Sequence, residues 1–310
     1  MPDESGQVMD ILGIGMSMID SIQVVEGFPV ETGVTEVVDS KLTGGGPVPT
    51  ALCAASRLGS EAGIIDRVGS DWFGELIRHE YREFGVRTDF LQLEPGCRSS
   101  FGTVLVRRRD GERHIIFRAG DFTPLNANEL PEEALKACRI LHLNGRHWPA
   151  CIDAAKLVKA SGGLVSFDGG AHRYEPRFLE LLPLIDVLIV AADFAERLSA
   201  SDDRDQQLAE LARWGATVVG ITDGASGSWF RTAEGDSFHQ SAFPADPVVD
   251  TTGCGDVFHG AFLFASNRGE SWPDCARFAS AAAACNAEAL GGRGHLPLLS
   301  EVEKRLTELD

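Results

Sequence analysis

The stretch VVDTTGCGDVFHGAF, residues 248–262, sets three glycines, two threonines and two well-separated aspartates among and ahead of apolar residues. A core helix has no use for a glycine cluster. A plain surface loop needs no long apolar run behind it. Residues 257–266, VFHGAFLFAS, are expected to form a buried helix straight after the loop. Gly253 and Gly255 permit tight or left-handed backbone and leave amide N–H groups uncovered. The first N–H groups of a helix lack internal acceptors and favour an anion. The backbone from Gly253 to Asp256 can therefore cradle a phosphate. The GxxxxGK[ST] form of phosphate loop is missing. Asp256 would repel a phosphate, a cost that makes sense if it takes a proton from an attacking hydroxyl. The bland alternative is a helix cap, and the local sequence weighs the two equally.

Composition narrows the partners. The chain has 310 residues, 44% of them hydrophobic, enough for a sizeable core. Lys and Arg number 28 against 46 Asp and Glu, a formal net charge of −18. Nucleic acid and anionic membranes are poor partners for such a surface. Seven cysteines are scattered without a disulfide framework or zinc spacing. The start, MPDESGQVMD, lacks signal-peptide features, and no apolar run reaches the roughly 20 residues of a membrane span. A soluble cytoplasmic protein is expected.

Outward from the loop, residues 8–25 read as one first strand broken by Gly13 and Gly15, with Asp20 just beyond the break. TGGG, 43–46, closes a short polar strand, and 49–59 has helix composition ending on Gly59. Residues 99–120 read as a hairpin around Asp110-Gly111. Strands and helices then alternate from about 127 to 224, which predicts a mostly parallel sheet covered by helices. Asp20, Asn144, Asp168 and Thr222-Asp223-Gly224 fall at strand carboxyl ends, where such sheets bind ligands. GITDGASG, 220–227, is a second glycine turn. Thr222 is able to donate to a phosphate there, while Gly224 and Gly227 let the chain pass close to a nucleotide. A plain turn is an equal alternative.

DTTGCGDVFHGAF resembles the carboxyl-proximal signature of the ribokinase-like, or PfkB, carbohydrate kinases, with Cys254 in place of the usual alanine. TGGGPVPTALCAASRLG and IDRVGSDWFG resemble the amino-proximal signature, and GIGMSMID the first strand with its sugar-contacting aspartate. The matches run from about residue 11 to about 296 in the family order. The resemblance implies a single α/β domain over 1–310. Its form would be a three-layer α/β/α sandwich with a small antiparallel β-lid at about 22–46 and 98–119. It also implies transfer of the γ-phosphoryl group of MgATP to an alcohol, and leaves open a monovalent cation. By the same resemblance Asp256 is the base, and Gly253, Cys254 and Gly255 form the anion hole. Asp20, Gly45 and Gly46 hold the sugar. Thr222, Gly224 and Gly227 line the nucleotide side, with Asn286 on the late helix that often walls the adenine.

Departures matter as much. Many members carry asparagines in a GGNxxN pattern where Pro47 and Thr50 stand here. The common N-x-x-E motif is missing. Asp193 and Glu196 are read as magnesium ligands through water or, preferably, as helix-start acids. The motif set looks closest to the sulfofructose kinase and ketohexokinase branches, implying a ketose acceptor. Arg146 is placed for a sulfonate or carboxylate. Its expected partners are replaced by Val34 and Phe117, and Arg118 is a substitute only if its hairpin face looks inward. Arg107, Arg108 and Arg109 read as a solvated hairpin, and Arg173 as support for a phosphate or a partner of Asp168. Nucleoside kinase, sugar-phosphate kinase and silent sugar sensor are the rivals. A homodimer through the lid is expected.

Overall fold

In a computed structural model, described for residues 8–109 and 111–308, the alternating middle of the chain builds a nine-stranded sheet. The first half contributes β1 (Ile11–Ile14), β2 (Met18–Val25), β3 (Asp39–Gly45), α1 (Pro47–Leu58), β4 (Ala62–Gly69) and α2 (Trp72–Glu83). It continues through β5 (Arg87–Glu94), β6 (Ser100–Arg107), β7 (Arg113–Arg118), α3 (Glu132–Ala137), β8 (Ile140–Leu143) and α4 (Trp148–Ala160). The second half holds β9 (Leu164–Gly169), β10 (Val187–Ala191), α5 (Ala192–Ser199), α6 (Arg204–Ala212), β11 (Val218–Thr222), β12 (Ser228–Thr232) and β13 (Ser237–Gln240). It ends in α7 (Cys254–Asn267), α8 (Trp272–Ala287) and α9 (Leu299–Glu308).

The large sheet runs β13-β12-β11-β10-β9-β8-β1-β4-β5, parallel from β11 to β5, with β12 and β13 antiparallel at one edge. Side chains alternate across it as a pleated strand requires. In β10, Val187 and Ile189 join the core under α1, α7 and α8, while Leu188 and Val190 join the core under α4, α5 and α6. Helices on both faces of one sheet make the expected three-layer sandwich. The strands β5, β12 and β13 escaped the sequence reading.

The smaller sheet runs β3-β2-β6-β7. It is mixed rather than antiparallel, because two hairpin-like insertions meet side by side through the parallel pair β2–β6. Residues 8–25 are likewise two strands, not one. The chain leaves the large sheet after Ile14 and enters the lid at Met18, so Asp20 lies within a lid strand. Asp110, at the expected hairpin turn, lies outside the described residues. Among the described residues, no helix is long and apolar enough to cross a membrane.

The helix after the glycine loop starts at Cys254, three residues earlier than the apolar run suggests. Gly253, at φ 73, turns the chain into it from the left-handed region. Every residue from Val257 to Ala265 is buried. Phe262 stacks between Phe230 and Trp272, with Phe258 against both Phe230 and Phe262. Truncating so buried a ring typically costs about 3–5 kcal/mol. The loop is thus mounted on a rigid, fully packed element.

Candidate active site

The loop before α7 is held from behind. Asp250 is buried; its Oδ1 accepts from the Thr252 amide at 2.8 Å and the Thr252 hydroxyl at 2.6 Å. Its Oδ2 accepts from the Gly291 amide at 3.0 Å. The amide of Cys254 reaches Thr251 O at 3.4 Å, and that of Val257 reaches Gly253 O at 2.8 Å. Among the described residues, no protein acceptor engages the amides of Gly255 and Asp256. Two N–H groups at a helix start are therefore open to an anion.

Beside them lies a cavity of about 520 Å³. Thr222, Gly224 and Gly227 line one side, Cys254 and Gly255 the floor, and Ala284 of α8 part of the far wall. Small residues on α8 leave room for a flat ring. Asn286 does not line this cavity. It is fully buried, donating to Thr252 O at 3.0 Å and accepting from the His295 amide at 3.2 Å. Its amide braces the loop instead. Burial pushes the Cys254 thiol up to about 11, so it stays a neutral part of the floor.

Asp256 stands in the first turn of α7, half-buried and next in the chain to the cavity-lining Gly255. Burial lifts its carboxyl to about 7, and the nearby Asp168 carboxylate adds to the lift. Arg173, His259 and Arg293 oppose it. Asp168 ends β9 and is paired with His259, one turn along α7 from Asp256, at 3.3 Å. Burial works to raise Asp168 as well, but His259 outweighs it, with Arg173 and His142 assisting, and holds it down at about 2. Two carboxylates are thereby driven apart, one toward a base that titrates near neutrality and one toward a permanent charge.

Asp20 lies in lid strand β2. A Cβ on Gly45 would come within 2.1 Å of Asp20 Oδ2, and one on Gly102 within 2.2 Å of Oδ1. The carboxylate is nested between two strands that must be bare there. Burial raises it to about 6, Glu80 adding and Arg293 opposing. The Arg293 charge opposes the rise at both Asp20 and Asp256. Gly46, at φ 96, turns the floor loop into α1.

Other expected residues fall in different places. Arg146 follows β8 and is exposed. Burial of its environment, then Arg173, lower it from the usual arginine range. Among the described residues, neither Arg146 nor Arg173 donates a side-chain hydrogen bond to protein or makes a close ion pair. Arg118 turns away, donating to Ser99 O at 3.1 Å, and Val34 and Phe117 face solvent. Arg107 pairs with Glu112 and Arg108 with Glu26, as in a solvated hairpin. Asp193 accepts from the His172 amide at 2.7 Å in the first turn of α5. Among the described residues, no three His, Cys, Asp or Glu groups converge as a metal cage.

Three residues escaped the sequence reading. Glu80 and Arg293 form a buried ion pair beneath Gly44 and Gly45. Glu80 sits on α2 between buried Ile77 and Tyr81, and an acid on an apolar helix face was the available signal. Arg113, on lid strand β7, donates to Thr252 Oγ1 at 2.5 Å and so ties the lid to the loop.

A carbohydrate kinase model, described as pfkB family carbohydrate kinase, matches residues 9–298. The chain belongs to the pfkB family of carbohydrate kinases. It is 30% identical to the aminoimidazole riboside kinase of Salmonella typhimurium over 84% of this chain and 85% of that one. It is 33% identical to a fructokinase of Klebsiella pneumoniae over 71% of this chain and 75% of the relative. A ribokinase of Arabidopsis thaliana, solved with ribose and ATP, superposes with a TM-score of 0.83 at 26% identity, covering 97% of this chain and 99% of that one. This pfkB kinase is thus an ATP-dependent phosphotransferase of the sugar and nucleoside kinase class.

Proposed function

We propose that the acceptor of this kinase is a ketose or closely related sugar, phosphorylated on a primary hydroxyl. One observation carries the chemistry: Asp256, lifted to about 7, stands at a helix start beside two open amides. Asp20 and the Gly45-Gly46 backbone fix the sugar hydroxyls. Asp256 takes the proton of the attacking hydroxyl as that oxygen bonds to the γ-phosphorus and the bond to ADP breaks. The amides of Gly255 and Asp256, within the Gly253–Asp256 anion hole, meet the charge on the transferred group. Magnesium, held by the nucleotide phosphates and by water shared with Asp193 or Glu196, would supply further charge neutralisation. Thr222, Gly224 and Gly227 flank the nucleotide.

Relatives named fructokinases support a ketose. The motif resemblance to sulfofructose kinases and ketohexokinases points the same way. An anionic acceptor is the second reading, favoured by the uncommitted guanidinium groups of Arg146 and Arg173 in so acidic a chain. The riboside kinase relative favours a nucleoside acceptor as the competing class. We also place the protein in the cytoplasm, as its seven free cysteines suit. We pair two copies through the lid, where Ile115, Ile116 and Phe117 are exposed.

The test is ATP-dependent turnover across ketoses, acidic sugars, sulfosugars, sugar phosphates and nucleosides, with the product assigned by phosphorus NMR. A ketose phosphorylated at a primary carbon supports the reading. Turnover confined to nucleosides overturns the ketose. ATP left intact across the panel favours a silent sensor.

A further inference from the structure

The floor loop at Gly44–Gly46 is gripped from two sides. Glu80 Oε1 accepts from the Gly44 amide at 2.9 Å and from the Thr43 hydroxyl at 3.3 Å. Arg293 donates through Nη2 to Gly45 O at 3.3 Å and through Nε to Thr50 Oγ1 at 3.2 Å. The two side chains meet at 2.6 Å, Nη1 to Oε2, with Arg293 only 5% exposed. A Cβ on Gly44 would fall 1.8 Å from Glu80 Oε2 and 2.1 Å from Arg293 Nη1. The loop therefore lies directly on the ion pair. Arg293 also stands 5.7 Å over the Tyr81 ring, whose hydroxyl shares a 2.6 Å hydrogen bond with Ser17, just ahead of β2 and Asp20.

We propose that Glu80 and Arg293 are positioning residues for the acceptor, fixing the Gly44–Gly46 peptides and the seat of Asp20 in place of side-chain amides. Pro47 has no amide side chain to offer, and Thr50 meets Arg293. The acceptor on this side then meets Asp20 and oriented backbone, and backbone is only as well placed as the groups that hold it. An arginine fork and a carboxylate suit the task, since both bind in fixed planar geometry. The pair is buried, so removing one partner leaves the other uncompensated, while replacing both is milder. This inference rests on the reading that the floor holds the acceptor.

Arg293→Lys keeps the charge and loses the fork; Glu80→Gln keeps the shape and loses the charge. With D-fructose and ATP, each is expected to raise the acceptor KM roughly tenfold to a hundredfold, with kcat and the ATP KM within about twofold. Glu80→Ala combined with Arg293→Ala should cost less than the two single changes together. A merely structural role would lower kcat and raise the ATP KM as well, and that result overturns the proposal. Amide exchange in the full-length protein, without substrate, gives a second reading. Gly44, Gly45 and Gly46 should exchange about tenfold faster in both conservative variants, with α7 unchanged. Wild-type exchange at those glycines overturns the proposal even if fructose is never phosphorylated. Faster exchange in a protein that turns over no sugar keeps the positioning pair and removes the kinase reading instead.

Discussion

His259 Nε2 meets Asp168 Oδ1 at 3.3 Å, one helical turn along α7 from Asp256. Asp168 keeps a negative charge behind the proposed base, and His259 offsets it. Residues three apart on a helix share a face, so His259 acts on Asp256 from one turn away and Asp168 acts from the adjoining strand β9.

The pair predicts opposite shifts in the pH profile. The ionised form of Asp256 accepts the proton, so kcat/KM should fall as pH drops through about 7. Asp168→Asn removes a charge that raises Asp256, and the acid limb should move down by roughly one pH unit. His259→Gln removes a group that lowers Asp256, so the limb should move up. Limbs that stay fixed, or move together, would show that the pair only packs.

Asp256→Asn separates function from stability. Turnover should drop by roughly 10²–10⁴ if proton transfer is the main role. A raised carboxyl binds its proton more tightly in the folded state than in the unfolded chain. The stability from that proton is whole below the ordinary 3.8 and is lost as pH rises through about 7. The variant has no such loss. Its advantage should be small at pH 4 and grow toward pH 8.5, on the order of 1–3 kcal/mol after screening at a half-exposed site. Thermal melts at the two pH values measure it; an advantage that shrinks with rising pH refutes the burial account.

The loop and the fold class were legible because their residues act through immediate neighbours. Gly253, Gly255 and Asp256 are read by spacing along the chain, and the βαβα rhythm by local period. Glu80 and Arg293 are 213 residues apart in the chain, and no local pattern joins them. Asn286 misled for another reason. A buried amide that serves the backbone looks, in sequence, like one that faces a nucleotide. The break between β1 and β2 was hidden because both strands are apolar enough to read as one. β13 is only four residues long, SFHQ, too short to show a period.

Lid closure should be visible in coupling between ATP use and sugar transfer. Arg113 ties β7 to the phosphate loop through Thr252 and lies 3.7 Å from Asp250. Arg113→Met should loosen the lid and let water compete as acceptor. The ratio of ADP to sugar phosphate should rise above one, severalfold at limiting sugar. A ratio held at one, with only the melting temperature lowered, would mean the contact is structural.

Two glycines of one loop should respond in opposite ways to the same methyl group. At Gly253 a Cβ would fall 2.3 Å from Gly292 O, and φ is 73, a conformation that favours glycine. Gly253→Ala should therefore destabilise the fold, by roughly 1–3 kcal/mol. At Gly255 a Cβ meets nothing within 4 Å. Alanine is also the better helix former by about 1 kcal/mol, so Gly255→Ala should leave the melting temperature unchanged or raise it. Yet that methyl would stand beside an open amide, in the space proposed for the phosphoryl group. The variant should stay folded and lose turnover by at least tenfold, since one misplaced contact there disturbs in-line attack. Paired thermal melts and ATP-dependent assays decide it. A Gly255→Ala protein with full activity would mean that the phosphate does not lie on this turn.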